Sequence, residues 1–335
     1  MTHRYTLEPY KTPASRYTCP QCNQPKTFTR YIDTLTDNAH LGDHVGKCDR
    51  ESNCGYHFTP KQFLDAIPTL HQERRIIRRH EQFSSPSKLR QLNLKPPLAL
   101  KPGTISKKLF EKTLSHYERN DFVEYLVGLF DNETLNRLIE DYHIGTAKHW
   151  PHATIFWQVD RKNDVRTGKI MLYDPYTGKR VKQPYAHITW VHKLVEQPDF
   201  NLKQCFFGEH LIYPGDKKPI AIVESEKTAI IAAGFMPDYV WIAAGSLEGL
   251  NADKCRVLHG RDVMLFPDAD AYPKWEEKMR KLQIKMPGTR FAISNYLKDA
   301  SPDYRQQGLD LADWLIIVEK QKVLPEAQQQ TQLTE

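Results

Sequence analysis

The sequence has no uninterrupted apolar run of about 18 residues, so no membrane-spanning helix is predicted. It also lacks a basic start followed by a short apolar core, the mark of a secretory leader. The expectation is a cytoplasmic protein without a membrane partner. No G-x-x-x-x-G-K-[ST] stretch occurs, which excludes a P-loop motor. No internal repeat is present, which argues against a solenoid. Between Ser84 and Ser106 there is no acidic residue at all. What remains is ordinary for a globular chain: 335 residues, 40% hydrophobic and 26% charged, enough for two or three domains.

Charge is unevenly spread. The first hundred residues carry 15 Lys and Arg against 9 Asp and Glu, whereas residues 201–335 carry 17 against 19. A basic front and an acidic back suit a polyanion held at one end and cations held at the other. Six cysteines are present, four of them within the first 54 residues as C-x2-C-x25-C-x5-C: Cys19, Cys22, Cys48 and Cys54. Clustered thiols in a reducing compartment read as metal ligands rather than disulfides. The first pair is a zinc knuckle in form; the second spacing is wider than usual, which leaves His44 and His57 open as replacements for one thiol. A structural zinc β-ribbon over residues 1–70 is expected. Phe28, Arg30, Tyr31, Arg50, Tyr56 and Phe58 would either stack on bases and touch phosphates or cover a ribbon too small for much core.

Residues 71–106 read as a basic helix, QERRIIRRHEQF, followed by a proline-rich linker. Residues 107–205 begin with helical periodicity and continue into strand-like ATIFWQVD (153–160) and KIMLYD (169–174). Within this mixed α+β lobe Arg161, Arg166, Lys169, Lys179 and Arg180 form a basic cluster, a candidate grip on template or triphosphate or a solvated hairpin face. From 206 to 320 strands and helices alternate (PIAIVE, KTAIIAAGF, YVWIAAG, VMLFPDAD, PKWEEKMRKLQIK, RFAISNY), which implies α/β with a parallel sheet. Residues 321–335 are polar, and disorder is expected there.

Two apolar strands end in acids: IVESEK places Glu224, and VMLFPDADAY places Asp268 and Asp270. If extended geometry persists, the last two point the same way and repel each other unless a cation intervenes. In an open α/β sheet the carboxyl ends of strands share one rim, so the three acids can meet there. Asp310 and Asp313 in GLDLADWL follow the last strand and can close the cluster. The cation implied is Mg²⁺ or Mn²⁺, which favours carboxylate and phosphate oxygens. A phosphatase using an aspartyl nucleophile is disfavoured because Ala271 and Tyr272 follow the pair. A calcium loop lacks the further oxygen ligands it needs.

In order, VESEK, AAGSLEG and FPDADA resemble the motifs of the Toprim domain, with Ser225 where that family usually has glycine and AYPK after the aspartates. With the ribbon, the linker and the basic lobe in front, residues 17–318 resemble DnaG-type primases, and the chain as a whole resembles uncharacterised Toprim-like, zinc-ribbon proteins of Bacteroides-type mobile elements. The resemblance implies a primase-like nucleotidyltransferase acting on single-stranded DNA with nucleoside triphosphates and a separate helicase, in replication or transfer of a mobile element. It makes Glu224 a general base or metal ligand, Asp268 and Asp270 magnesium ligands, Asp310 a candidate for a second metal, and Lys227 a phosphate contact. A Toprim nuclease or nicking factor and a non-catalytic DNA-binding accessory protein are the alternatives; a topoisomerase is disfavoured for want of a tyrosine in a strand-passage context.

Overall fold

The computed structural model describes residues 4–50, 54–65, 101–195, 197 and 200–323. The basic helix and most of the linker expected over 71–106, and the polar tail from Pro325, lie outside the described residues. The chain divides into two compact units, Met1–Pro102 and Gly103–Glu335. Among the described residues no helix is long and apolar enough to cross a membrane.

The N-terminal unit is built from short antiparallel strands: β1 (Tyr5–Leu7), β2 (Phe28–Asp33), β3 (Ala39–His40), β4 (Gly46–Cys48) and β5 (His57–Phe58), closed by helix α1 (Pro60–Asp65). The sheet runs β1-β2-β4-β5, with β3 also on β2. Its core is small. Val45, Phe58 and Phe63 form one cluster, and Cys19, Phe28 and Cys48 the other. A core of that size leaves a unit marginal without a staple.

The C-terminal unit opens with helices α2 (Lys107–Thr113), α3 (Asp121–Val127) and α4 (Asn132–Asp141). They lead into an antiparallel sheet, β6 (Gly145–Thr146), β7 (Thr154–Val159), β8 (Val165–Met171) and β9 (Ile188–Trp190), paired in that order. β8 begins four residues earlier than the apolar run suggested, and all seven of its residues are buried, Arg166, Thr167 and Lys169 among them. Their polar ends have partners: Asp160 and Asp164 for Arg166, His192 for Thr167 and Glu226 for Lys169. A strand can hide such groups only when each finds one.

After the short helix α5 (Val191–Leu194) the second half alternates as expected: β10 (Ile220–Val223), α6 (Glu226–Phe235), β11 (Val240–Ala243), α7 (Ala252–Cys255), β12 (Asp262–Leu265), α8 (Tyr272–Lys285), β13 (Arg290–Ile293), α9 (Pro302–Gln307) and α10 (Leu311–Val323). The four strands are all parallel, ordered β11-β10-β12-β13. Alternation along β10 divides its side chains. Ile220 and Ile222 face Val263, Leu265, Trp275 and Leu282, while Ala221 and Val223 join the core of α6 and α10. That second core also takes in Phe122, Leu138, Ile144 and Phe156, so both halves of the unit share one interior. The Tyr142 hydroxyl donates to the Trp241 carbonyl at 3.0 Å within it.

Candidate functional site

The thiols of Cys19, Cys22, Cys48 and Cys54 all lie within 4.8 Å of one another. Among the described residues they are the one group of three or more His, Cys, Asp or Glu side chains gathered closely enough to hold an ion as it stands. The Cys19 and Cys54 sulfurs are 3.7 Å apart. A zinc tetrahedron with arms of about 2.3 Å has an edge of about 3.8 Å, so the spacing fits. The thiol of Cys54, hydrogen-bonded to Cys48, pulls the Cys48 thiol down to about 5 against its burial, whereas burial lifts Cys19 to about 11. The wide x5 spacing closes because the Cys54 N–H donates to the Arg50 carbonyl at 2.8 Å. His44 and His57 are not in the set; His44 stacks on Phe58 and His57 on Tyr31. Phe28 and Phe58 are buried, so they fill the ribbon's interior and offer no face to a base. Arg30 lies over the Tyr17 ring and pairs with Asp43.

In the C-terminal unit β11 lies to one side of β10 and β12 to the other, which makes their carboxyl ends the switch point of the sheet. Glu224 stands there as the first residue past β10. Its carbonyl accepts from Gly245 N–H at 2.8 Å, and Gly245 turns the chain away with φ +81°. Ser225, where the Toprim motif has glycine, caps α6 by accepting from Thr228 N–H at 3.1 Å.

Asp268 and Asp270 lie past the end of β12. The ladder's last rung is Phe266 N–H to the Ile222 carbonyl, and Pro267 has no N–H with which to continue it. A turn follows, with Ala271 N–H donating to the Asp268 carbonyl and Ala269 N–H to Leu309. The second bond brings the start of α10, and with it Asp310, beside Asp268. Strand alternation therefore plays no part in aiming the pair: Asp268 is half-buried and Asp270 exposed.

The acids share one field. Burial, then the charges of Asp310, Glu224, Asp270 and Asp313, lifts Asp268 to about 8. Burial and then Asp270 raise Glu224, with Lys169 and Arg180 opposing. Asp310 is committed elsewhere. Its carboxylate accepts from Thr228 Oγ1 at 2.7 Å and from Asp313 N–H at 3.0 Å, while Asp313 accepts from Asp310 N–H, a reciprocal cap on α10. Lys227 completes this group at 3.2 Å from Asp313 and 3.8 Å from Asp310. Burial works against the Lys227 ammonium, but those two carboxylates outweigh it and raise its pKa.

The basic residues separate into two groups. Lys169, Arg180 and Lys227 lie at the acidic rim. Arg161 lies in the β7–β8 turn and bonds the Val257 carbonyl, and Arg166, at the start of β8, is clamped by Asp160 and Asp164 of that turn. Lys179 is exposed. Sequence reasoning missed Glu226. It is buried, and Lys169 Nζ donates to both its oxygens at 2.9 and 3.3 Å. The second glutamate of VESEK was its visible signal.

Residues 120–269 match the family model described as Domain of unknown function (DUF6371), and residues 3–69 that of a zinc beta-ribbon finger. The ribbon model and the four gathered thiols agree on a structural zinc site at the N-terminus. No curated protein matches the chain. Among solved structures the chain is similar to the primase fragment of the bacteriophage T7 primase-helicase protein, with 11% identity, 91% of this chain and 98% of that chain covered, and a TM-score of 0.39. At that score the likeness is too coarse to bear on function.

Proposed function

We propose that the C-terminal unit is a primase-like nucleotidyltransferase that makes short primers on single-stranded DNA by divalent-metal-dependent phosphoryl transfer, in replication or transfer of a mobile element. The observation that carries this reading is that Glu224, Asp268 and Asp270 follow the carboxyl ends of β10 and β12, at the switch point of the sheet, near enough for their charges to act on one another. Three carboxylates whose charges oppose one another call for a cation, and their hard oxygen donors suit Mg²⁺ or Mn²⁺. As the side chains stand they are not drawn together into a ligand set, so binding needs their rotation inward.

Glu224, Asp268 and Asp270 would hold the ion, which would supply positive charge to the phosphates. Glu224 is also placed to take the proton of an attacking hydroxyl, because burial and Asp270 raise its basicity. Asp310, bound to Thr228, Lys227 and α10, serves to position α6 rather than to take a second ion. Arg180, exposed and within the field of Glu224, suits the triphosphate, whereas Lys169 is taken up by Glu226. The N-terminal ribbon is assigned to single-stranded DNA and a separate helicase to unwinding.

The test is to incubate the protein with single-stranded template, labelled nucleoside triphosphates and Mg²⁺ or Mn²⁺, beside Glu224→Gln. New oligonucleotides that vanish in the variant are expected. Shortened template without synthesis would replace this reading with a nuclease, and DNA retention without either product with an accessory role.

A further inference from the structure

From Pro175 to Val195 the chain has no acidic residue, and it carries Lys179, Arg180, Lys182 and Lys193 together with several aromatic residues. One end of this segment is at the acidic rim: residue 180 bridges to Tyr173, and its guanidinium lies in the field of Glu224. Farther along, the rings leave the pattern of an ordinary solvated loop. Tyr185 stacks on His187 with centroids 4.4 Å apart and planes 26° from parallel. His187 meets Trp150 at 5.2 Å, and Trp150 meets His149 at 4.4 Å, both edge-on. Four rings thus form one ladder drawn from two segments. Its outer rung, Tyr185, is 55% exposed.

The surroundings favour anions. Lys148 and Lys182, next to the ladder in sequence, are exposed. Two nearby acids are engaged. The Asp174 carboxylate accepts from the Tyr176 and Thr177 amides and the Thr177 hydroxyl, and Asp121 holds His152 at 3.0 Å. At its His149 end the ladder opens on a groove of about 800 Å³ whose lining includes Lys112, Arg119 and Lys148 and, among the described residues, no carboxylate.

We infer that the Tyr185–His187–Trp150–His149 ladder is a stacking platform for single-stranded DNA, with Lys148 and Lys182 on its phosphates and Arg180 at the end nearest the acidic rim. The inference rests on the proposed function for its partner. Rings take any base on their faces and cations track the backbone, which is how unpaired strands are held without sequence preference. Duplex DNA keeps its bases stacked inside and gains nothing from Tyr185.

The experiment uses the full chain and a fluorescein-labelled 15-residue thymidine oligonucleotide, read by anisotropy across a salt series. Tyr185→Ala is expected to weaken binding by about tenfold, the scale of one lost base stack. Tyr185→Phe keeps the ring and should bind as the unaltered chain does. Lys182→Ala should reduce the salt slope by about one. Equal binding by Tyr185→Ala, equal losses in Tyr185→Ala and Tyr185→Phe, or no binding by the unaltered chain would each overturn the platform. Glu224→Gln separates the two readings. If it binds normally and the unaltered chain, which also binds, makes no primers, the catalytic proposal fails while the platform stands. If Tyr185→Ala primes with an unchanged template KM, the platform fails alone.

Discussion

Lys169 Nζ lies 2.9 Å from Glu226 Oε2, both side chains almost wholly removed from solvent, and the pair joins the middle of β8 to the first turn of α6. It is the one charged contact described between the antiparallel sheet and the helix that follows Glu224. A buried pair is far more sensitive to losing one member than to losing both, because the survivor is left charged and unpartnered.

Lys169→Met and Glu226→Gln are therefore each expected to destabilise the C-terminal unit by about 3–5 kcal/mol, and the double variant by much less. Urea unfolding of the three variants, analysed as a mutant cycle, measures this. Equal losses that simply add would show that the two groups do not depend on each other.

Elemental analysis should find one zinc per chain, and Cys48→Ser should lose it. Thiols must give up their protons to bind, so the metal should also leave on acidification. Amides of residues 28–48 should then exchange freely, while those of β10 and β11 stay protected. Hydrogen exchange with and without a chelator gives the comparison.

Asp268, held near 8, keeps its proton at neutral pH in the folded chain, whereas the unfolded chain has released it above about 4. The folded state then binds one proton more, so stability should fall as pH rises from about 4 towards 8. Asp268→Asn removes that slope and should melt higher than the unaltered protein at pH 7.5. Mg²⁺ should raise the melting temperature of the unaltered protein at that pH and leave Asp268→Asn unmoved. Thermal melts at several pH values, with and without Mg²⁺, read both effects.

Asp310→Ala removes a helix cap, the Thr228 contact and part of what holds the Lys227 charge. A loss of about 1–2 kcal/mol is expected from the cap alone. Asp310→Asn, which can still accept from Asp313 N–H, should recover part of it. If Asp310→Ala abolished metal binding without changing stability, its place would be among the ligands after all.

How much of this was legible differs from residue to residue. The strand–helix alternation after residue 206 was plain because β10 and β11 are buried on both faces and read as unbroken apolar runs. The four cysteines were plain because metal ligands cluster in sequence. Lys169 and Glu226 are 57 residues apart, and nothing local marks either as buried. β8 looked shorter than it is because Arg166 and Thr167 are polar, and their partners become visible only in three dimensions. Asp268 and Asp270 were expected on an extended strand, but Pro267 ends the ladder just before them. Asp310 looked like a candidate ligand, and its hydrogen bonds to Asp313 and to Thr228, 82 residues away, come into view only in the fold.

The antiparallel bridge between Phe207 and Ala243 makes the two borders of the parallel sheet unequal. Along β11 the outer amide of Ala243 is bonded to Phe207, whereas β13 has no described strand on its far side. Native-state deuterium uptake should therefore run as a gradient across the sheet, slowest at the centre and at Ala243 and fastest along residues 290–293. The sheet should open from that border first, leaving the strand tips at the switch point among the last parts to loosen.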